Sequence, residues 1–560
     1  MTSLAPGLAR LRHYQRDWLR PDVLAGVTVA AYLVPQCMAY GELAGLQPVA
    51  GLWAILAPLA VYALFGSSRQ LSVGPESTTA VMAATALAPL AAGEPAAYAA
   101  LAAALAAITG LWCLIGRIAR LGFLANLLSK PVLVGYMAGV AVTMITGQLT
   151  KTTGVPTSGD TPAAEIHSFF THLADFQVDT FVLATAVVTF LFIMQKWFPK
   201  LPGPLIAVLA STTVVAVLDL DQHGISVVGA VPQGLPLPGL PDVSWSQVVG
   251  LLAPAVGIAV VGYTDNVLTA RSFANKNGYR IDANQELLSL GLSNIGAGLF
   301  QGFPVSSSGS RTSIGDSLGS RSQLYSLVAL GCVVLVLLFL GPLLALFPSA
   351  ALGAIVVYAA IRLIDLPEFR RMLAFRRSEF GLAAVALVGV LVTNILVGVL
   401  VAVGLSIVVL FSGLMRPHDA VLGRVPGLPG LHDVEDWPDA QSLPGLCIYR
   451  YDAPLMFANA EDFRRRALQA IEDYPTEVEW FVLNVEAWVD IDITAVDTLH
   501  DLIDDVTEHD VVFAMARVKQ DLYDDLELGG LVDRIGEDRL YPTLPTAIDA
   551  FERRGEAVSD

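Results

Sequence analysis

Runs of mostly apolar residues recur along the first 415 positions of the chain, separated by short polar segments. A helix needs about 20 apolar residues to cross a bilayer, and fewer where it stops inside protein. Three of the runs, at 76–91, 287–301 and 306–320, are short and interrupted by Gly, Pro and Ser. With these three included, the pattern predicts fourteen membrane spans. The other runs are 22–43, 50–66, 97–116, 131–150, 179–195, 203–219, 249–270, 325–347, 350–361, 379–395 and 397–415.

The composition agrees with this pattern and excludes three other classes of protein. Of the 560 residues, 54% are hydrophobic and 15% are charged, whereas about 25% of the residues in soluble domains are charged. Too few polar side chains remain to cover a soluble surface. A soluble enzyme, a disordered scaffold and a secreted disulfide framework are therefore excluded, and a polytopic α-helical membrane protein is predicted.

The net charge of −18 is concentrated near the C-terminus. Residues 1–415 carry 21 Lys and Arg against 19 Asp and Glu, whereas residues 416–560 carry 12 against 32. This division indicates two domains in different solvents, and the acidity argues against a nucleic-acid partner. We predict a cytoplasmic N-terminal segment (1–21), a transmembrane domain (22–415), a linker (416–440) and a C-terminal domain (441–560).

Lys and Arg are distributed unevenly between alternate loops. With the N-terminus placed in the cytoplasm, the loops at 92–96, 151–178 and 220–248 fall on the outer side and contain one basic residue, Lys151. Most other basic residues of this region fall on the inner side, as is typical of cytoplasmic loops. We therefore expect a multi-pass protein of the cytoplasmic membrane with both termini in the cytoplasm.

The two halves of this region repeat each other at an offset of 229 residues, which aligns Pro75 and Ser77 with Pro304 and Ser306. In each half, a long span is followed by a short segment broken by proline. Seven spans per half is an odd number, so the two repeats must be inverted in the membrane. Broken segments at matching places indicate a binding site near the membrane midplane.

The chemistry of the broken segments suits an anion. A half-helix that begins within the membrane presents free backbone N–H groups and the positive end of its dipole, and two such ends form an anion cradle. The hydroxyls of Ser77, Thr78, Ser308 and Ser310 would donate to the oxygens of the anion. Small polar residues also serve close helix packing, but the run of serines that follows Pro304 favours a binding site.

Three ionisable residues accompany these segments. Asp265 lies in the middle of a span, and Glu76 and Arg311 stand at the starts of the two half-helices. A charge at this depth costs several kcal/mol and is typical of a cavity or an ion path. The alternative is an internal ion pair that joins the two repeats.

Several motifs resemble those of the sulfate permease (SulP) family of anion transporters, and they follow in order along nearly the whole chain. They are Asp22–Gly26, Val34–Tyr40, Gly74–Ser77 and the segment from Phe303 to Arg311. The resemblance implies a seven-plus-seven inverted repeat with core and gate domains. It also implies that substrate binds between the third and tenth half-helices and that the core moves like an elevator.

The resemblance assigns roles to individual residues of the site. Gln36 and Tyr40 would line the pocket, and Ser308, Gly309 and Ser310 would cap the anion.

Cation coupling follows from the same resemblance. Asp265 would occupy the cation-coupling position, with Thr269 one turn on. Glu76 departs from the family pattern, because many relatives have an uncharged residue there. The anion would therefore meet a carboxylate unless Glu76 is protonated, ion-paired or itself part of the coupling site.

The predicted substrate-binding set is completed by Glu76, Ser77, Thr78 and Arg311.

The C-terminal part alternates apolar strands, at 446–451, 478–485 and 511–516, with amphipathic helices. This pattern predicts a small α/β domain with a mainly parallel sheet, and it resembles the STAS domain that family members carry after the last span. One loop matches a segment that holds a phosphorylated hydroxyl in related anti-sigma-factor antagonists, and Thr494 would be that hydroxyl. We favour the plainer interpretation that Thr494 caps the following helix.

Taken together, these features predict a secondary active transporter, not an enzyme, that takes up a small inorganic oxyanion across the lipid bilayer. We expect sulfate coupled to protons, a homodimer, and neither a cofactor nor a metal beyond the coupling ion, H⁺ or Na⁺. The alternatives are a Na⁺-coupled transporter of bicarbonate or a dicarboxylate, and a passive anion channel or exchanger.

Two further alternatives fit the residues less well. The letters of Gly315–Gly319 match the G-x-S-x-G hydrolase elbow, but that elbow needs a strand–turn–helix context, and these residues lie within a predicted span. A nucleobase permease has a similar architecture, but the known members lack the C-terminal domain.

Overall fold

The computed structural model describes residues 5–91, 94–122, 129–157, 159, 161–199, 201–222, 224–393 and 395–559. The chain divides into two compact units, Met1–Ser406 and Ile407–Asp560. Positions 1–4, 92–93, 123–128, 158, 160, 200, 223, 394 and 560 lie outside the described residues, and all of them belong to segments predicted above.

The first unit is helical, as its apolar runs predict. Prolines stand in the first turn of α5, α6 and α10, where the missing N–H costs no hydrogen bond. The division between the units falls within α19. The helices are α1 (Pro6–Arg12), α2 (Leu19–Leu43), α3 (Val49–Phe65), α4 (Ser77–Leu87), α5 (Pro95–Ile118), α6 (Lys130–Thr146), α7 (Leu149–Thr153), α8 (Pro162–Thr171), α9 (Val178–Trp197), α10 (Gly203–Val217), α11 (Trp245–Lys276), α12 (Ala283–Leu299), α13 (Gly309–Ser317), α14 (Leu324–Phe339), α15 (Gly341–Ala345), α16 (Ser349–Leu363), α17 (Leu366–Phe375), α18 (Arg377–Val392) and α19 (Ile395–Met415).

Within the described residues, five helical segments are long and apolar enough to cross a membrane. A helix overlaps each apolar run of the sequence, including the three interrupted ones, which overlap α4, α12 and α13. At 1.5 Å per residue, α4 and α13 are roughly 14–17 Å long, about half the hydrocarbon thickness of a bilayer. The count of fourteen spans stays a prediction. The five long segments are Arg16–Leu43, Pro95–Ile118, Val178–Trp197, Trp245–Lys276 and Ser349–Phe375.

Two very short strands join the halves of this unit. Strand β1 (Val73–Gly74) precedes α4, and strand β2 (Ser306–Ser307) precedes α13. The strands pair antiparallel, with Val73 opposite Ser307 and Gly74 opposite Ser306. The two broken segments of the sequence therefore meet, and each strand leads directly into the start of a short helix.

Close helix contacts and buried polar anchors hold these elements in place. A Cβ atom on Gly51 would lie 1.7 Å from the carbonyl oxygen of Cys37, so α2 and α3 approach at a distance that only glycine permits. The fully buried carboxylate of Glu286 accepts hydrogen bonds from Tyr62 Oη (2.8 Å), from the amide and hydroxyl of Ser67 (3.0 and 2.6 Å) and from Asn266 Nδ2 (2.7 Å). These bonds fix α12 to α3 and α11, because a buried carboxylate without such donors would be strongly destabilising.

The second unit contains a six-stranded sheet in the order β4-β3-β5-β6-β7-β8. Strands β5 to β8 are parallel, and β3 and β4 are antiparallel additions at one edge. The strands are β3 (Asp419–Arg424), β4 (Leu431–Asp433), β5 (Leu446–Tyr451), β6 (Trp480–Asn484), β7 (Val512–Ala516) and β8 (Leu540–Tyr541). The helices are α20 (Ala460–Glu472), α21 (Ile493–Glu508), α22 (Gln520–Leu528), α23 (Leu531–Ile535) and α24 (Leu544–Ser559).

Helices cover both faces of this sheet. Alternate residues of β5 point to opposite sides, so that Cys447 and Tyr449 pack with α20–α23, whereas Leu446 and Ile448 pack with α24. The three strands expected from the sequence are present within two residues of their predicted limits.

Two details differ from the sequence-based interpretation of this unit. The segment 416–440, predicted as a linker, contributes β3 and β4 to the sheet, because Asp419–Val421 pairs with β5 and Leu422–Arg424 pairs with β4. Asp492, rather than Thr494, caps α21: its Oδ1 accepts from the amide of Ala495 at 2.9 Å. A capping side chain accepts a hydrogen bond from the amide three residues ahead of it. Thr494 is the second residue of α21, so it lies inside the first turn rather than at the cap position. Its side chain is exposed.

Candidate functional site

A cavity of about 220 Å³ lies where the two short strands lead into α4 and α13. Its wall comes from both halves of the chain and from α2, α6, α11 and α16. The lining residues are Tyr32, Gln36, Tyr40, Glu76, Ser77, Thr78, Met137, Asp265, Thr269, Ser307, Gly309, Ser310, Tyr358, Ala359, Arg362 and Leu363.

The cavity brings together most of the residues that the sequence singles out. Two predicted residues, Ser308 and Arg311, do not line it. Ser308 is buried, and its hydroxyl lies 3.2 Å from that of Ser310, so its contact with the cavity is indirect. The predicted residues on the wall are Gln36, Tyr40, Glu76, Ser77, Thr78, Asp265, Thr269, Gly309 and Ser310.

The starts of α4 and α13 supply backbone donors to the cavity. The first two residues of each helix line it, namely Ser77 and Thr78 of α4 and Gly309 and Ser310 of α13. Neither helix has a side-chain cap, so its first-turn N–H groups are not occupied by a capping oxygen. Because a Cβ on Gly309 would meet no atom within 4 Å, a ligand has free access to that backbone.

Arg311 lies behind this wall with its side chain fully buried. Its Nη1 donates to Gln36 Oε1 (3.1 Å) and to the carbonyl oxygen of Pro75 (2.9 Å), and its Nε donates to Ser72 Oγ (3.3 Å). Its Nη2 is buried without a hydrogen-bond partner. In the described part of the chain, the guanidinium forms no ion pair with Glu76, so the arrangement differs from the ion pair considered as an alternative. Instead, its charge stands one layer behind the cavity.

Gln36 connects the buried charge to the cavity wall. Since Gln36 Oε1 accepts from Arg311, its amide nitrogen must face the other way, where it donates to Tyr40 Oη at 3.0 Å. The Tyr40 hydroxyl accepts that bond, which leaves its own proton free to donate. The chain Arg311–Gln36–Tyr40 therefore presents hydrogen-bond donors towards the cavity.

Two carboxylates face the same space. Glu76 occupies the N-cap position of α4, where its Oε1 accepts from Ser77 Oγ (3.1 Å) and its Oε2 is buried without a partner. Asp265, on α11, accepts from Ser307 Oγ at 2.7 Å. The cavity thus combines donors suited to an anion with two groups that repel one.

Sequence reasoning missed four polar or charged residues of the wall, Tyr32, Ser307, Tyr358 and Arg362, and three apolar ones, Met137, Ala359 and Leu363. The predicted span ends at position 361 and leaves Arg362 outside it, whereas α16 continues to Leu363. The arginine itself was the available signal, since a charge in the last turn of a short span can face inwards.

A second cavity of about 130 Å³ adjoins the first and shares Tyr32, Ser310, Tyr358 and Arg362 with it. Gln195 and Pro204, among others, line its far side.

Within the described residues, no group of three or more His, Cys, Asp or Glu is arranged to hold a metal ion. Gly315–Gly319 lies in α13 and the turn that follows it, which is not the strand–turn–helix of a hydrolase elbow.

Comparison with solved structures gives the fold. The murine Solute Carrier 26 family member A9 anion transporter, in its inward-facing state, matches 97% of this chain and 93% of its own, with a TM-score of 0.88 at 23% identity. The transmembrane domain of the cyanobacterium bicarbonate transporter BicA matches 70% of this chain and 98% of its own, with a TM-score of 0.61 at 24% identity. At such low identities the match concerns the fold alone.

Sequence relatives give the family. A probable sulfate transporter of Mycobacterium tuberculosis H37Rv is 57% identical over 98% of both chains. The chloroplastic sulfate transporter 4.1 of Arabidopsis thaliana is 30% identical over 98% of this chain and 82% of its own. The sulfate permease family model matches residues 19–386, and the STAS domain model matches residues 438–547. These matches confirm the resemblance found in the motifs and the expectation of a transporter rather than an enzyme. The chain belongs to the sulfate permease family and carries a STAS domain at its C-terminus.

Proposed function

We propose that this protein takes up sulfate by secondary active transport coupled to protons, with the anion bound in the 220 Å³ cavity. The observation that carries the proposal is the meeting of two uncapped helix starts, at Ser77 and Gly309, on one cavity. The names of the sulfate transporters related to this chain support sulfate as the anion.

The site suits a tetrahedral oxyanion for electrostatic and geometric reasons. Backbone N–H groups from two directions, together with the hydroxyls of Thr78 and Ser310, offer donors to several oxygens at once, whereas the Ser77 hydroxyl donates to Glu76. The buried charge of Arg311 lies behind them and adds a favourable field without occupying the cavity. We assign Gln36 and Tyr40 as further donors. The amide nitrogen of Gln36 faces away from Arg311 and donates to the Tyr40 hydroxyl, whose own proton is then free to donate.

The carboxylates explain why a cation would be required. An anion beside Asp265 and Glu76 is repelled unless a cation neutralises at least one of them. Anion and cation then favour each other's binding, which is the thermodynamic content of symport. We assign Asp265 as the main coupling residue, with Thr269 and Glu76 beside it, because Asp265 lies within a long helix at the cavity.

For the movement, we propose that a core carrying α4 and α13 slides past a gate containing α6, α9 and α16. The helices α4, α13, α6 and α16 all line the cavity, and α9 lines the adjoining second cavity, which supports this assignment. We retain the seven-plus-seven inverted repeat of fourteen spans, with both termini cytoplasmic and the protein a homodimer. The meeting of β1 with β2 supports an inverted repeat, because corresponding segments of the two halves pair antiparallel.

The decisive experiment is uptake by proteoliposomes that contain the purified full chain. Labelled sulfate, bicarbonate and a dicarboxylate are each offered under an imposed proton gradient and under an imposed Na⁺ gradient. Accumulation of sulfate under the proton gradient alone is expected. Absence of sulfate uptake under either gradient would contradict the proposal.

A second candidate is Na⁺-coupled transport, and one contact favours it. The carboxylate of Asp265, the hydroxyl of Ser307 at 2.7 Å and the nearby Thr269 provide oxygen ligands that a hard cation prefers. Uptake that saturates with Na⁺ at constant pH would support this candidate over the proton.

A further inference from the structure

Arg362 stands at the junction of the two cavities and lines both. It lies in the last turn of α16 and is exposed, in contrast to the fully buried Arg311. Among the described residues that line either cavity, no other Lys or Arg is present.

The guanidinium of Arg362 is held in place without being neutralised. Its Nη1 donates to Tyr358 Oη at 3.4 Å, and its carbon lies 5.7 Å from the centre of the Tyr358 ring. Tyr358 in turn donates its proton to Gln195 Oε1 at 2.8 Å. In the part of the chain that the structure describes, Arg362 forms no ion pair with a carboxylate, so its remaining donors are available to a ligand.

The charges around the cavity indicate which class of anion Arg362 would favour. Glu76 and Asp265 contribute two negative charges to the wall, and Arg362 contributes the one positive charge found there among the described residues. A monovalent anion needs little compensation beyond the helix starts and a bound cation. A divalent anion places a second negative charge in the same space, and a guanidinium is the group best suited to receive it through two parallel hydrogen bonds.

We propose that Arg362 is the residue that makes the site select divalent tetrahedral oxyanions over monovalent anions. This inference rests on the proposed function and deepens it, because it names the substrate class and the group that recognises it.

The test compares three variants in the full chain. Arg362→Gln removes the charge, Arg362→Lys keeps the charge but loses the paired donors, and Arg376→Gln removes an arginine that stacks over Phe375 and does not line either cavity. The KM for sulfate uptake and the inhibition constant of nitrate are measured for each variant. Thermal unfolding without anion shows whether each variant is folded.

The expected result is a difference between the two anions. Arg362→Gln should raise the KM for sulfate about tenfold or more, whereas the inhibition constant of nitrate should change by less than about threefold. Arg362→Lys should fall between this variant and the parent, and Arg376→Gln should match the parent. If Arg362→Gln does not fold, Arg362→Lys is compared with the parent instead. Its KM for sulfate should then rise by a larger factor than its inhibition constant for nitrate.

Three outcomes would overturn the inference. The first is an unchanged sulfate KM in folded Arg362→Gln, and the second is an equal weakening of sulfate and nitrate. The third applies if the parent moves no sulfate, in which case the proposed function itself fails. The inference about Arg362 is then tested by the thermal stabilisation that selenate, molybdate and nitrate each produce. It is overturned if the parent shows no preference for selenate and molybdate over nitrate, or if Arg362→Gln retains that preference.

Discussion

Replacing Asp265 with Asn removes one charge from the cavity and little else. The side-chain oxygen of Asn can still accept the hydrogen bond that Ser307 Oγ donates to Asp265 at 2.7 Å. The two side chains are nearly equal in volume, so α11 should keep its position beside β2. The substitution therefore separates the charge of Asp265 from its packing.

The size of the cavity sets the magnitude of the effect. A sphere of 220 Å³ has a radius of roughly 4 Å, which puts a carboxylate on the wall about 5 Å from a central anion. At an effective dielectric constant of about 20, the repulsion is about 3 kcal/mol for each unit of charge on the anion. Sulfate would thus be repelled by about 6 kcal/mol, which is enough to make binding depend on a neutralising proton or Na⁺.

Proteoliposomes report both binding and coupling. With the lumen one pH unit more alkaline, the parent should accumulate labelled sulfate about tenfold for each proton carried with it. Asp265→Asn should exchange sulfate for sulfate at a comparable KM but stop at equal concentrations. The KM of the parent should fall as the external pH falls, because protonation removes the repulsion, and the KM of the variant should stay constant.

The matched control is Asp179→Asn, which removes a carboxylate from the exposed first turn of α9 and should leave accumulation unchanged. Accumulation by Asp265→Asn equal to that of the parent would refute the assignment of Asp265. Loss of both exchange and binding in a folded variant would refute the electrostatic reasoning, since that reasoning predicts binding without coupling.

Other predictions concern the site, the topology and the second unit. Ser310→Leu should abolish uptake at normal expression because it removes a donor and fills the cavity, whereas Ser310→Thr should retain uptake; transport by the Leu variant would place the anion elsewhere. A cysteine introduced at Gln233 should react with an impermeant thiol reagent in intact cells and one at Asp436 should not, so equal labelling would contradict the predicted orientation. Ending the chain after Met415, before β3, should leave a membrane unit that still binds sulfate but transports or dimerises differently; a folded truncation without binding would contradict a purely regulatory role for the STAS domain.

The sequence predicted those parts of the site that depend on local chemistry. Pro75 and Pro304 interrupt apolar runs and are each followed two residues later by serine, and each lies beside a short strand that precedes a short helix. The mid-span charge of Asp265 likewise pointed to a cavity.

What the sequence could not provide depends on contacts between distant elements. The pairing of β1 with β2 determines which face of α13 is turned to the cavity, and it places Ser310 on the wall and Arg311 behind it. Tyr358 and Arg362 reach the cavity because α16 packs against α2 and α9, which no periodicity along α16 could reveal. Strand β3 was missed because its apolar stretch is only three residues long and is recognisable only beside β5.

The two-residue ladder between β1 and β2 has a consequence for how substitutions combine. Because Val73 pairs with Ser307 and Gly74 with Ser306, the starts of α4 and α13 share one rigid base and cannot adjust separately. A substitution at Thr78 and one at Ser310 should therefore be strongly non-additive in a double-mutant cycle, although the residues are more than 200 positions apart. Redesigning the two helix starts themselves for an anion of another shape should accordingly require paired changes, one from α4 and one from α13, selected together rather than in succession.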